Sequence, residues 1–146
     1  MNDILPRPPL AAAKALLESA GLPTADLTES HCEHFFHAGS PSAPTGLVGL
    51  EMFGDVALLR SLVVGPGARS SGMGSALLDY AEQFALSRGV RTLYLLTTTA
   101  EGFFVRRGYS TAARENAPPA IRSTREFAGI CPASSAFMSK QLHTGH

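Results

Sequence analysis

Leu10, Ala13, Leu16, Leu17 and Ala20 recur at helical spacing, and Gly21 followed by Pro23 ends the run as a glycine cap and a breaker do. The pattern predicts a first helix. After Thr24 to Ser30 the apolar run within Glu33 to Ala38 reads as a strand. The turn formers G-S-P-S-A-P-T-G follow it and predict a hairpin returning through Leu47 to Met52. A turn at Phe53 to Asp55 leads into Val56 to Val64, too continuously apolar for a strand with one wet face. That strand belongs in the middle of a sheet.

From Ser75 to Arg88, Leu77, Tyr80, Ala81, Phe84 and Ala85 fall on one helical face, with Asp79, Glu82 and Gln83 turned outward and Gly89 as the stop. Arg91 to Thr98 is then a buried strand, so Val56 to Thr98 forms a unit of strand, loop, helix and parallel strand. Ala100, Phe103, Phe104 and Arg107 predict a short helix ending at Gly108, and Tyr109 to Ala112 starts another strand. Pro118 and Pro119 open a last short helix closed by Gly129, and Ser135 to Leu142 supplies a terminal strand.

A chain of 146 residues is expected to form one domain over 1–146, frayed at about 1–8 and 143–146. A domain of this size buries about 68–70% of its unfolded surface and folds without staples. Twelve basic and twelve acidic residues cancel, which argues against a nucleic-acid partner, since no basic stripe is left to meet a phosphate backbone. No apolar run reaches the ~20 residues of a membrane span, and Met1 to Leu10 lacks the charged-then-apolar order of a leader. A cytoplasmic protein without a membrane partner is expected. Cys32 and Cys131 are read as reduced thiols, because a domain this large needs no bridge. His31, His34 and His37 would share one face only if helical, and a strand would part them; no metal is expected there.

Ser61 to Ser75 reads S-L-V-V-G-P-G-A-R-S-S-G-M-G-S, a strand emptying into a glycine-rich loop ahead of a helix. Glycines let backbone N–H groups converge, and the helix start adds unpaired amides and its positive dipole end, so an anion fits here. A Walker loop would need Gly-Lys-Ser/Thr, which is missing, and a dinucleotide fingerprint would need glycine where Leu77 stands. What remains is R-x-x-G-x-G, at Arg69, Gly72 and Gly74. This resembles the pyrophosphate loop of the GCN5-related N-acetyltransferases, the GNAT family, which hold acetyl-CoA. The resemblance implies an α/β (α+β) fold: a mixed central sheet with a splayed parallel strand pair and helices on both faces.

The family's second signature, N-x-x-A-x-x-x-Y followed by G-F, is met in part by Thr97, Ala100, Phe104, Gly108 and Tyr109. Threonine replaces the asparagine, and Phe104 replaces a tyrosine that in the family often protonates the leaving thiolate. That role is not available to a phenylalanine. The runs L-L-R-S-L-V-V, L-L-T-T-T-A and A-I-R-S-T-R-E-F-A-G-I-C-P-A-S-S-A-F-M resemble the branch of the family associated with arsenic resistance.

The resemblance implies that acetyl-CoA lies between the strands ending at Val64 and near Thr98. Leu62, Val63 and Val64 would pair their backbone with its pantetheine arm, like an added strand. Arg69, Ser70, Ser71 and Gly72 would hold the pyrophosphate together with Met73, Gly74 and Ser75. Phe104 would adjoin the thioester, and the amide near Val63 would polarise its oxygen. Glu51 is the candidate carboxylate for taking the amine proton through water, with Glu126 as the alternate.

Arg60 stands out because a charge inside L-L-R-S-L-V-V is costly unless it is paired or faces a cavity. It is read either as a structural ion pair or as a clamp on an anionic acceptor, with Thr98, Arg122, Arg125 and Glu126 completing the acceptor pocket. The expected partner is a small amine carrying an anionic group, amino acid or organoarsenical, and the family implies a possible homodimer. Two other readings stay open: a degenerate acyl-CoA-binding sensor, and a metalloid-binding protein using Cys32, His34 and Cys131. Cys131 itself is read first as a small buried apolar residue.

Overall fold

The apolar run Val56–Val64 forms β4, the middle strand of a seven-stranded sheet. The computed structural model describes residues 4–22, 24, 27–65, 72–98, 100–124, 127 and 135–142. Ahead of β4 come β1 (Ile4–Pro6), α1 (Leu10–Ser19), α2 (Glu29–Cys32), β2 (Phe35–Ser40) and β3 (Ala43–Phe53). Behind it come α3 (Met73–Ser87), β5 (Thr92–Thr97), α4 (Glu101–Val105), β6 (Ser110–Thr111), α5 (Pro119–Arg122) and β7 (Ala136–Gln141). The strand order is β1-β2-β3-β4-β5-β7-β6. β4 and β5 run parallel while the other pairings are antiparallel, so the predicted order of strand, helix and parallel strand is present.

Side-chain alternation sorts the core onto two faces. Val48, Leu59, Leu93 and Leu95 point to α3 and meet Leu77, Leu78, Ala81 and Ala85. Their strand neighbours point the other way. Leu47, Val63 and Phe35 pack against Ala13 and Leu17 of α1, while Leu58 and Phe137 pack against Ile121 of α5. Helices therefore cover both faces. Two glycines allow the close approaches: a Cβ on Gly46 would lie 2.7 Å from Met73 Sδ, and one on Gly49 would lie 2.3 Å from the Phe35 ring.

Several boundaries differ from the sequence reading. The stretch from Gly39 to Gly46, expected as a loop, is mostly strand, and the hairpin turns at Pro41 and Ser42 alone. Pro44 and Gly46 pair within the ladder, which offsets their weak strand preference. The segment 1–8, expected to fray, contributes Ile4–Pro6 as an edge strand on β2, with Ile4 opposite Ala38. A turn of helix at Glu29–Cys32 was not foreseen; His31 caps it, accepting from Thr28 N at 3.2 Å through Nδ1. Among the described residues no helix is long and apolar enough to cross a membrane.

Candidate active site

β4 and β5 part company at the centre of the sheet. Their pairing runs from Val56 opposite Thr92 to Leu59 opposite Leu95 and goes no further, although β4 continues to Val64 and β5 to Thr97. Beyond this point β4 is held from the other side, by β3, and Gly65 N donates to Thr45 O at 2.8 Å. A cleft opens between the strand ends. Within it β4 carries a bulge, because Leu47 pairs with Val63 and Gly49 with Arg60, leaving Val48 opposite both Ser61 and Leu62. Ser61 takes the left-handed φ of 61° that the extra residue demands. The bulge shifts the phase of the strand, turning Leu62 and Val64 toward α3 and Val63 toward α1.

The first turn of α3 stands beyond the end of β4. Gly72 leads into it at φ 83°, and a Cβ there would meet nothing within 4 Å, so this turn is open-faced. Ala76 is the first residue with a helical amide bond, to Gly72 O at 3.0 Å, which leaves the amides of Met73, Gly74 and Ser75 without helical partners. A Cβ on Gly74 would lie 3.6 Å from the Phe103 ring and 3.7 Å from Val64 Cγ2, so the turn lies against both the end of β4 and α4. Unpaired amides beside a splayed strand pair fit a pyrophosphate with an extended arm attached. Arg69, Ser70 and Ser71 lie outside the described residues.

On the opposite face of the cleft, Arg60 is buried and paired. Its Nη1 donates to Glu51 Oε2 at 2.7 Å and its Nε to Ser61 Oγ at 3.1 Å, while the guanidinium carbon stands 6.0 Å from the centre of the Phe35 ring. The side chain of Arg60 is fully covered and that of Glu51 is 13% exposed, so the carboxylate is the partner that reaches solvent. The sequence reading named both residues without joining them. The structure brings them together between the α1 and α5 clusters. Ile121 brings α5 onto this face, but Arg122 is exposed, and no described bond ties its side chain to the pair. Thr98 is exposed just past the end of β5, and Arg125, Glu126 and Cys131 lie outside the described residues.

Phe104 is 5% exposed and lies in the α3-side core, edge-on to Phe103 and Tyr109 at 5.1 and 5.4 Å between ring centres. The phenol it touches is not a substitute acid. Tyr109 OH donates to Glu82 Oε2 at 2.9 Å, and burial, then the Glu82 charge, push its pKa far above the ordinary tyrosine value. Thr97, where the family has asparagine, accepts from Ala100 N at 3.1 Å and fixes the start of α4. Cys32 is buried, and burial followed by the Glu29 charge pushes its thiol pKa up, against thiolate chemistry. His34 packs on Phe84 and His31 serves its cap. Among the described residues no three His, Cys, Asp or Glu side chains form a metal-binding group.

Residues 6–109 match the model of the acetyltransferase (GNAT) family. The chain belongs to this family. Over 69 residues, 47% of this chain, it is 36% identical to the amino-acid acetyltransferases of Pseudomonas paraeruginosa and Pseudomonas fluorescens. The chain spans only 16% of the length of those relatives. Among solved structures it is similar to N-acetylglutamate synthase from Neisseria gonorrhoeae complexed with coenzyme A and N-acetyl-glutamate. The TM-score is 0.81 at 25% identity, covering 99% of this chain and 36% of that one. A GNAT acetyltransferase from Staphylococcus aureus shares the fold over 98% of this chain and 100% of its own, at TM-score 0.75 and 16% identity.

Two site features escaped the sequence reading. The bulge at Ser61 had only a faint signal, a polar Arg-Ser pair inside an apolar run. The other is Arg107, read as part of the helical pattern but bonded to α3: its Nε donates to Ser75 Oγ at 3.0 Å.

Proposed function

We propose that this GNAT chain is an acetyl-CoA-dependent N-acetyltransferase whose acceptor is a small amine carrying an anionic group. The observation that carries the proposal is the placement of the covered Arg60–Glu51 pair beside the bulge, across the cleft from the open first turn of α3. One side suits a nucleotide thioester, and the other presents the Glu51 carboxylate to an amine. The names of the curated relatives, amino-acid acetyltransferases, support the same class of acceptor. Acetyl-CoA supplies the activated acetyl group.

The remaining work falls to the chain's own residues. The amides of Met73, Gly74 and Ser75 hold the pyrophosphate, with Arg69, Ser70 and Ser71 closing the loop. The backbone of Leu62 to Val64 aligns the pantetheine arm, and the bulge amide of Leu62 offers a hydrogen bond to the thioester oxygen as its charge grows, while Val63, opposite Leu47, turns its own amide to β3. Arg60, covered beneath the site, holds the Glu51 carboxylate toward the acceptor side of the cleft. Attack requires a neutral amine, and a free α-amino group has a pKa of about 7.7–8.0, so a modest base suffices. Glu51 takes that proton through water. The nitrogen bonds to the acetyl carbon as the carbon–sulfur bond breaks, and the leaving thiolate, with an ordinary thiol pKa of about 8.5, takes its proton from water. Phe104 thus costs little at neutral pH.

The segments that resemble the arsenic-resistance branch extend the acceptor class to organoarsenical amino-acid analogues. A thiol-release assay over a panel of amino acids, their decarboxylated amines and an amino-bearing arsonate tests the whole reading. Turnover is expected only where amine and anion occur together. CoA binding without turnover of any amine would replace this reading with that of an acyl-CoA sensor.

A further inference from the structure

We propose that Arg107, fixed across the first turn of α3, reads the phosphates of the donor and is a donor-specificity residue. The inference rests on acetyl-CoA being the donor and deepens that reading. Arg107 follows α4, and both its Nε and Nη2 donate to Ser75 Oγ while Nη1 donates to Phe103 O at 3.2 Å. Its guanidinium carbon lies 3.9 Å from the centre of the Phe103 ring, the same ring that flanks Gly74. The group is held flat and in one orientation, as an arginine that recognises phosphate must be.

Its charge is in the wrong place for a purely structural role. The start of a helix carries the positive end of the macrodipole, so a cation there is disfavoured. Among the described residues no carboxylate offsets it, since the ion pairs there join Arg60 to Glu51 and Lys140 to Glu82. A guanidinium has five N–H groups, and the three bonds occupy three, which leaves two to donate. Ser75 Oγ accepts twice from the guanidinium, so its own proton also remains to be donated. A cation, three amides without partners among the described residues and a hydroxyl donor then surround one turn, an arrangement that a bound phosphate makes favourable.

The test is calorimetric titration of the whole chain with CoA, dephospho-CoA and pantetheine, the last of which carries no phosphate. Arg107→Gln is expected to weaken CoA binding by about 10- to 100-fold, the range for a charge-assisted bond, and to leave pantetheine within about 3-fold. Arg107→Lys recovers part of the loss. Equal loss for CoA and pantetheine overturns the proposal and leaves Arg107 as a brace between α3 and α4, with the proposed function intact. Failure of the unaltered chain to bind CoA overturns both. Should Arg107→Gln not fold, Ser75→Ala serves in its place, with a loss of about 3- to 10-fold expected for CoA alone; an unchanged CoA affinity there counts against the proposal.

Discussion

Arg60 and Glu51 sit diagonally across β3 and β4, Nη1 to Oε2 at 2.7 Å, because Glu51 pairs with Leu58 while Arg60 pairs with Gly49. The ladder therefore places a charge of each sign on one face. The bulge that follows at once lets Ser61 Oγ take the Nε of the same arginine. A buried arginine is thus pinned by at least these two bonds before any substrate arrives, and the more exposed carboxylate faces the water through which a proton leaves.

Substitutions at these two positions should separate binding from proton transfer. Arg60→Ala releases Glu51 from its position at the acceptor side and is expected to raise the acceptor KM by at least about 10-fold, the range for a lost charge-assisted bond, with the acetyl-CoA KM changed less than about 3-fold. Glu51→Gln keeps an oxygen for Nη1 but cannot take a proton, so kcat should fall by about 100-fold with little change in acceptor KM. Steady-state kinetics with both substrates varied decides it. Equal effects of Arg60→Ala on the two KM values would place the pair away from the acceptor.

The order of elements was legible because helix and strand periods differ so plainly here. Leu77 to Ala85 keeps helical spacing, Val56 to Val64 is apolar throughout, and the glycines at 21, 89 and 108, all at positive φ, mark helix ends. The strand at Ala43–Phe53 was harder to see, since Pro44, Thr45 and Gly46 resemble a turn and become strand only through pairing with β2 and β4. Site residues were legible one at a time. Arg60 announced itself as a charge in an apolar run, but its partnership with Glu51 depends on the register of two strands, which spacing within one strand does not reveal. Arg107 was hidden for the same reason: its meaning comes from Ser75, 32 positions away.

The network under β7 should make stability depend on alkaline pH. Tyr109 is 3% exposed and donates to Glu82, which also pairs with Lys140 Nζ at 3.0 Å, and the phenol is held neutral far above its ordinary pKa of about 10. Its contribution is complete below pH 10. Above that the unfolded chain loses the proton and the folded chain keeps it, so stability falls by up to about 1.4 kcal/mol per pH unit. Tyr94 is shifted in the same direction by burial and then Asp55 and adds to the loss. Urea unfolding between pH 8 and 11.5 should show this slope, and Tyr109→Phe should flatten it in part. The variant should also cost about 1 kcal/mol at neutral pH, from the missing bond.

Two glycines of β3 should respond differently to one added methyl. At Gly49 the Cβ would fall 2.3 Å from the ring of Phe35, which is fully buried and has no free end to swing. At Gly46 it meets Met73 Sδ at 2.7 Å and Leu77 Cδ1 at 2.8 Å, both ends of side chains that can turn away. Gly49→Ala is therefore expected to cost about 3 kcal/mol or more, and Gly46→Ala about 1 kcal/mol. Denaturant midpoints at an unchanged m-value would check the order, and a smaller loss at Gly49 would mean that β2 moves with its ring.

Gly72 ties the backbone to the proposed donor site. Its φ of 83° is one that L-residues adopt at a cost of roughly 1–2 kcal/mol, and because nothing stands within 4 Å of a Cβ there, the cost is conformational rather than steric. Gly72→Ala should lower the melting temperature by about 3–6 °C, and Gly72→Asn by less, since asparagine tolerates the left-handed region. The same strain falls on the turn that aims the amides of Met73, Gly74 and Ser75. If those amides hold the pyrophosphate, relief of the strain by rotation of the turn must weaken CoA. Titration should then show CoA affinity falling in the order glycine, asparagine, alanine, while pantetheine affinity stays level. Melting temperatures that fall in that order without a change in CoA affinity would place the phosphates away from this turn.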